Sequence, residues 1–173
     1  MFQCGRGMID GSPKAIYDYI KENNTEYKLI WIVDKDADTS CLNKKDYVYA
    51  KTIKALYHIS TSKYWIRSES IGSILKKKKN QIYIQAWHGH GALKKMSYDI
   101  TNEKNREPLE HTKEWDYLLT NDPIDESMML TSTGYNKKTF MIGTPLTDYV
   151  KKNNIPLVIV GGTVEYHGAH CSY

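Results

Sequence analysis

The chain predicts a doubly wound α/β domain, and three observations carry that expectation. Short apolar runs of strand length alternate with segments whose apolar residues recur at helical spacing. One run, Leu29-Ile30-Trp31-Ile32-Val33, is apolar at consecutive positions, as in a parallel strand buried on both faces. Helix start and stop residues stand where the periodicity changes, at Ser12-Pro13, Thr52, Asp122-Pro123 and Gly134. Alternation of this kind builds a parallel sheet with helices on both faces.

In chain order, the glycine-rich opening Met1 to Gly11 shows no strand before its loop. Ser12-Pro13 reads as N-cap and first helical residue, with Ala15, Ile16, Tyr19 and Ile20 as the buried face. After the Leu29–Val33 strand come a polar loop and a short strand within Asp46 to Ala50. Thr52 caps a helix carrying Ile53, Leu56 and Tyr57 three and four apart, and Tyr64-Trp65-Ile66 is the next strand. Ile82-Tyr83-Ile84 is a strand, followed by helical spacing at Leu93, Met96 and Ile100. Trp115 to Leu119 is a strand, and Asp122 then caps a helix with Met128, Met129 and Leu130 inward and Gly134 as its stop. Phe140-Met141-Ile142 is a strand, Gly143-Thr144-Pro145 turns into a helix through Val150, and Leu157 to Val160 is one more strand. No internal repeat or low-complexity linker divides the chain. A single domain over residues 1–160 is expected, with an irregular tail at 161–173.

Composition narrows the function. The 173 residues are enough for one domain with a real core, and a net charge of +4 permits contact with phosphates or an anionic surface without demanding it. Basic residues are scattered rather than striped, which argues against nucleic acid as a partner. Cys4, Cys41 and Cys171 are widely spaced with no CxxC pair, which favours a reducing cytoplasm over a disulfide framework. No apolar run approaches the ~20 residues of a membrane-spanning helix, so any membrane contact is expected to be peripheral. The run Lys76-Lys77-Lys78-Lys79 is a solvated face in the plainer reading and a contact for anionic lipid in the sharper one.

The candidate site lies in Gln81 to Asp99. An apolar strand empties into Trp87-His88-Gly89-His90-Gly91, and side chains at the carboxyl end of a parallel strand face the ligand crevice of an open α/β sheet. His88 is either a packed, hydrogen-bonded histidine or a proton acceptor. The small neighbours Gly89 and Gly91 favour the second, because they leave little bulk to bury it and let a ligand approach the backbone. Lys94 and Lys95 follow on a helix start suited to phosphate. A zinc site is not expected, since neither His88 with His90 nor His167, His170 and Cys171 has a ligand spacing such as CxxC or HExxH. The chain has no GxSxG elbow and no P-loop.

Tyr83-Ile84-Gln85-Ala86-Trp87-His88-Gly89 followed by Leu93-Lys94-Lys95 resembles the WHGTPLKK motif of the CDP-glycerol glycerophosphotransferases, the teichoic acid primases and polymerases. Ser12 to Tyr17 with Leu29-Ile30-Trp31 is similar to that family's opening segment. Trp115-Asp116-Tyr117 with Gly134-Tyr135 is similar to a later block, and Gly143 to Asp148 resembles its GxPRND turn. Two departures stand out: His90-Gly91 replaces Thr-Pro, and Leu146 replaces the arginine.

The resemblance implies that residues 1–160 form the Rossmann-like amino-terminal, acceptor-side lobe of a GT-B fold, whose carboxyl-terminal lobe is missing here. It implies transfer of glycerol phosphate from CDP-glycerol to an acceptor hydroxyl in teichoic acid or another cell-wall polymer. His88 would be the base, and Trp87, Gly89, His90, Lys94, Lys95, Pro145 and Asp148 would contact substrate. It implies no cofactor beyond the donor substrate, a polyol-phosphate or lipid-linked acceptor, and a cytoplasmic place peripheral to the membrane. Two alternatives stand beside it: a transferase using another nucleotide-activated sugar or polyol, and a non-catalytic lobe that binds a polyol-phosphate polymer or a partner.

Overall fold

A computed structural model describes residues 1–23, 26–69, 76–88, 95, 97–101 and 109–154, together with the backbone of 157–160 and 163–166. Seven strands form one parallel sheet: β1 (Phe2–Gln3), β2 (Trp31–Val33), β3 (Tyr47–Tyr49), β4 (Tyr64–Arg67), β5 (Ile82–Gln85), β6 (Tyr117–Thr120) and β7 (Lys138–Met141). Their order across the sheet is β3-β2-β1-β4-β5-β6-β7. The order reverses between β1 and β4, which is where doubly wound sheets open their ligand crevice.

The strand missing from the sequence reading is β1. It has two residues, too few to show an alternation, yet it is central: Phe2 pairs with Trp31 of β2 and with Ile66 of β4. The glycine-rich loop after it is therefore the first βα turn, closed by Gly7 N–H donating to the Cys4 carbonyl at 3.2 Å.

Strand alternation divides the core into two layers. Trp65, Tyr83, Leu118 and Ile32 face one side with Trp115, Met129 and Tyr135, under α2 (Ile53–Thr61) and α4 (Pro123–Thr133). Phe2, Trp31, Val33 and Ile66 face the other with Tyr17 of α1 (Gly11–Asn23). α5 (Pro145–Lys152) packs alongside α1. Helices cover both faces, as the alternation predicts.

Caps hold as expected at α4, where Asp122 accepts hydrogen bonds from the N–H groups of Ile124 and Asp125 and Gly134 closes the helix at φ 66°. Thr52 caps α2 through Ala55 N–H. Helix faces agree with the sequence reading only in part: on α1 Ala15 is buried and Ile16 and Ile20 pack against the core, as expected. α1 begins at Gly11 after Asp10 and buries Ser12, Pro13, Lys14, Ala15 and Tyr17, while Tyr19 is 67% exposed. The reason is two-sided burial: the sheet takes one flank and α5 the other, so polar Ser12 and Lys14 are enclosed as well. On α2 the inward residues are Ala55 and Ile59, and Ile53 and Tyr57 face outward.

α3 (Tyr98–Thr101) is a single turn with Ile100 exposed, so the apolar helix face read through Leu93, Met96 and Ile100 is not formed at Ile100. Leu93 and Met96 lie outside the described residues. β8 (Leu157–Val160) is a strand as expected, but it pairs antiparallel with β9 (Thr163–Tyr166) and does not join the parallel sheet. A strand at Thr163–Tyr166 also departs from the irregular tail expected at 161–173. The register sets Val160 opposite Thr163. Cys4 is a buried free thiol.

Candidate functional site

The carboxyl ends of β1, β4, β5, β6 and β7 deliver their following residues to one edge of the sheet. From β1 comes the Gly5–Gly7 turn. Glu69, just beyond β4, packs against Gly5 so closely that a Cβ there would sit 1.8 Å from its Oε1. Gly7, at φ 62°, faces Asp34 at the end of β2, where a Cβ would lie 2.4 Å from the Asp34 nitrogen. The two glycines are what let the turn approach its neighbours.

At β5 the ladder ends with Ala86 N–H donating to the Arg67 carbonyl at 2.7 Å. The chain then bends sharply. Trp87 adopts a left-handed conformation, φ 54°, that costs a non-glycine residue roughly 1–2 kcal/mol. Its N–H donates to the Gln85 side-chain Oε1 at 3.2 Å. The half-buried indole meets Trp115 edge-on at 5.9 Å. The bend turns the exposed His88 imidazole onto the outer face of that indole, with centroids 4.8 Å apart and planes 16° apart. His88 is thus outside the core, at the mouth of the sheet beside the switch point.

Three buried polar residues underlie this edge, and the sequence reading did not single them out as site residues. Arg67 and Gln85 are register partners at the ends of β4 and β5, and Thr120 ends β6; they are 3%, 0% and 0% exposed. Arg67 lies over the Tyr83 ring, its charge centre 5.5 Å from the centroid. Burial draws the Arg67 guanidinium below its usual range, offset in part by Tyr83 and Glu114. The Tyr83 hydroxyl is pushed up to about 12, chiefly by burial. A polar residue closing an apolar strand, as in Tyr64-Trp65-Ile66-Arg67 and Ile82-Tyr83-Ile84-Gln85, was the available signal.

The remaining expected site residues disperse. Lys95 is exposed, and Gly89, His90 and Lys94 lie outside the described residues. The Gly143-Thr144-Pro145 turn is tied to the carboxyl edge: Gly143 N–H donates to the Thr120 carbonyl at 3.3 Å, and the Thr144 hydroxyl donates to Asn121 Oδ1. From Pro145, however, α5 runs back across α1. Pro145 and Asp148 line a groove of about 320 Å³ with Asp18, Tyr19, Glu22 and Tyr149. Their strand, β7, is two places from β5, about 10 Å by strand spacing. The described contacts do not bring Asp148 to His88. Lys77 is engaged structurally, donating to the Gln81 carbonyl at 2.9 Å and pairing with Asp116 at 3.1 Å. Lys76, Lys78 and Lys79 are exposed at the amino end of β5, the opposite edge of the sheet from His88. The candidate cluster His167, His170 and Cys171 lies outside the described residues.

An exposed imidazole on a rigid aromatic platform, at the crevice of a parallel sheet, can take a proton from a hydroxyl brought to that edge. The comparisons with known proteins agree with this architecture. The family described as CDP-Glycerol:Poly(glycerophosphate) glycerophosphotransferase matches residues 2–156. The teichoic acid poly(glycerol phosphate) polymerase of Bacillus spizizenii is 28% identical over 155 residues, covering 83% of this chain and 39% of the relative. The teichoic acid glycerol-phosphate primase of Bacillus subtilis is 28% identical over 165 residues, covering 84% of this chain and 43% of the relative. The wall teichoic acid polymerase TagF superposes with a TM-score of 0.70 at 24% identity, over 88% of this chain and 39% of that one. A variant of TagF soaked with CDPG gives 0.66 at 22% identity. The chain therefore spans less than half the length of these relatives, and its sheet is one Rossmann-like lobe of the GT-B type. By the match over residues 2–156, the chain belongs to the CDP-glycerol:poly(glycerophosphate) glycerophosphotransferase family.

Proposed function

We propose that this chain is the acceptor-side lobe of a glycerophosphotransferase that builds a polyol-phosphate polymer of the teichoic acid type. The observation that carries the reading is the exposed His88 ring on Trp87 at the carboxyl edge of the sheet. His88 takes the proton of an acceptor hydroxyl as that oxygen attacks the phosphorus bearing glycerol in CDP-glycerol. The P–O bond to the other phosphate breaks, and CMP leaves. Lys95, with Lys94, holds phosphate charge near the reacting oxygen. The donor is held by a further lobe of the kind the longer relatives have room for.

The place of action is the cytoplasmic face of the membrane, reached peripherally. Among the described residues no helix is long and apolar enough to cross a bilayer. The exposed Lys76, Lys78 and Lys79 suit an anionic surface while leaving the opposite edge open to substrate.

Titration with poly(glycerol phosphate) oligomers, followed by NMR of the chain, tests the acceptor assignment. The Trp87 and His88 signals are expected to move, and absence of binding would overturn it. Binding by this chain, with no transfer even when a relative's carboxyl-terminal lobe is supplied, would favour a second reading. In that reading the chain is a non-catalytic lobe that captures the polymer.

A further inference from the structure

Gln85 is fully buried at the end of an otherwise apolar strand, in the layer formed by Tyr83, Trp65 and Leu118. Among the described residues its Nε2 has no hydrogen-bond partner. A carboxamide enclosed with its donor unmet is unfavourable, so the contact that accounts for it is the one its oxygen makes. That contact is with the Trp87 N–H, at 3.2 Å. It spans only two residues and closes the bend in which Trp87 is held at φ 54°.

Without that acceptor, the Trp87 N–H loses the described partner that closes the bend. The backbone is then free to relax toward the extended conformations that a tryptophan prefers. The indole would leave its edge-on contact with Trp115, and the imidazole would leave the indole face.

We propose that Gln85 is a positioning residue: its Oε1 locks the left-handed turn at Trp87 and thereby sets the His88 ring at the crevice mouth. The catalytic consequence rests on the role proposed above for His88, but the geometric claim does not. Gln85→Met keeps length and removes the acceptor, Gln85→Asn keeps the amide but shortens its reach, and Gln85→Glu keeps an oxygen in place. In the intact chain the His88 ring protons should be shifted upfield by the indole ring current, with His88→Ala identifying them among the six histidines. The shift should collapse in the Met and Asn variants and return in the Glu variant. Persistence of the full shift in whichever of the Met and Asn variants folds would overturn the proposal.

In a transfer assay, misplacement of the base predicts a fall in kcat of roughly 100-fold with an unchanged KM for CDP-glycerol. A collapsed ring-current shift with an unaltered transfer rate would support the positioning and remove His88 from the chemistry.

Discussion

Phe2→Ala puts the central strand to the test. β1 has two residues, yet Phe2 is 1% exposed and joins both sides of the sheet. Its N–H donates to the Ile30 carbonyl at 2.8 Å. Its ring stacks on Trp31 at 5.5 Å and meets Tyr17 edge-on at 5.4 Å. Truncating a fully buried phenylalanine costs about 3–5 kcal/mol through lost burial and the cavity left behind. In a domain of this size each kcal/mol moves Tm by roughly 2–4 °C, so a fall of about 6–20 °C is expected. Urea unfolding followed by circular dichroism measures the loss directly, and Tyr19→Ala is the control. Tyr19 is 67% exposed, so its truncation should stay within about 0.5 kcal/mol. A loss below about 1 kcal/mol for Phe2→Ala, or a larger loss for Tyr19→Ala than for Phe2→Ala, would refute the placement of β1 and the phase of α1.

Stability should also decline at alkaline pH. Burial pushes the Cys4 thiol and the Tyr83 hydroxyl each up to about 12, from ordinary values near 9 and 10. A group whose folded pKa is raised contributes stability that is fully present below its unfolded pKa and is lost as pH rises toward the folded value. These two groups should therefore make urea midpoints fall between pH 9 and 12; a midpoint constant from pH 9 to pH 12 would contradict this. For the same reason Cys4 should resist alkylation by iodoacetamide at neutral pH in the native chain and react once the chain is unfolded, as read by mass spectrometry.

Much of the fold could be read from the residues, because strong local signals and tertiary packing agree in them. Asp122-Pro123 through Gly134 carries its own start, dipole complement and stop, and the structure realises all three. Trp31-Ile32-Val33 is apolar throughout because both faces of β2 are covered. What was hidden depends on distant partners. Phe2-Gln3 is a strand only because β2 and β4 flank it. The face of α1 is obscured by α5, which encloses Lys14 beside the Tyr149 ring at 5.5 Å. The exposed Ile53 on α2 shows that apolar spacing alone does not fix which side meets the sheet.

The site was legible in part for the same reason. The strand-to-loop change at Trp87-His88 is local, and the structure sets that ring at the carboxyl edge as expected. Asp148 could not be placed from sequence, since the path of α5 back over α1 is a long-range packing choice. Arg67 and Gln85 were passed over as strand ends, because register alone sets them side by side at the ends of β4 and β5.

Transfer of labelled glycerol phosphate from CDP-glycerol to a polyol-phosphate acceptor tests the account most directly. It compares the native chain with His88→Ala, each supplied with the carboxyl-terminal lobe of a relative. Loss of a general base predicts a rate lower by about 100- to 10,000-fold, with the fold and acceptor binding retained. Turnover undiminished in the alanine variant would contradict the account.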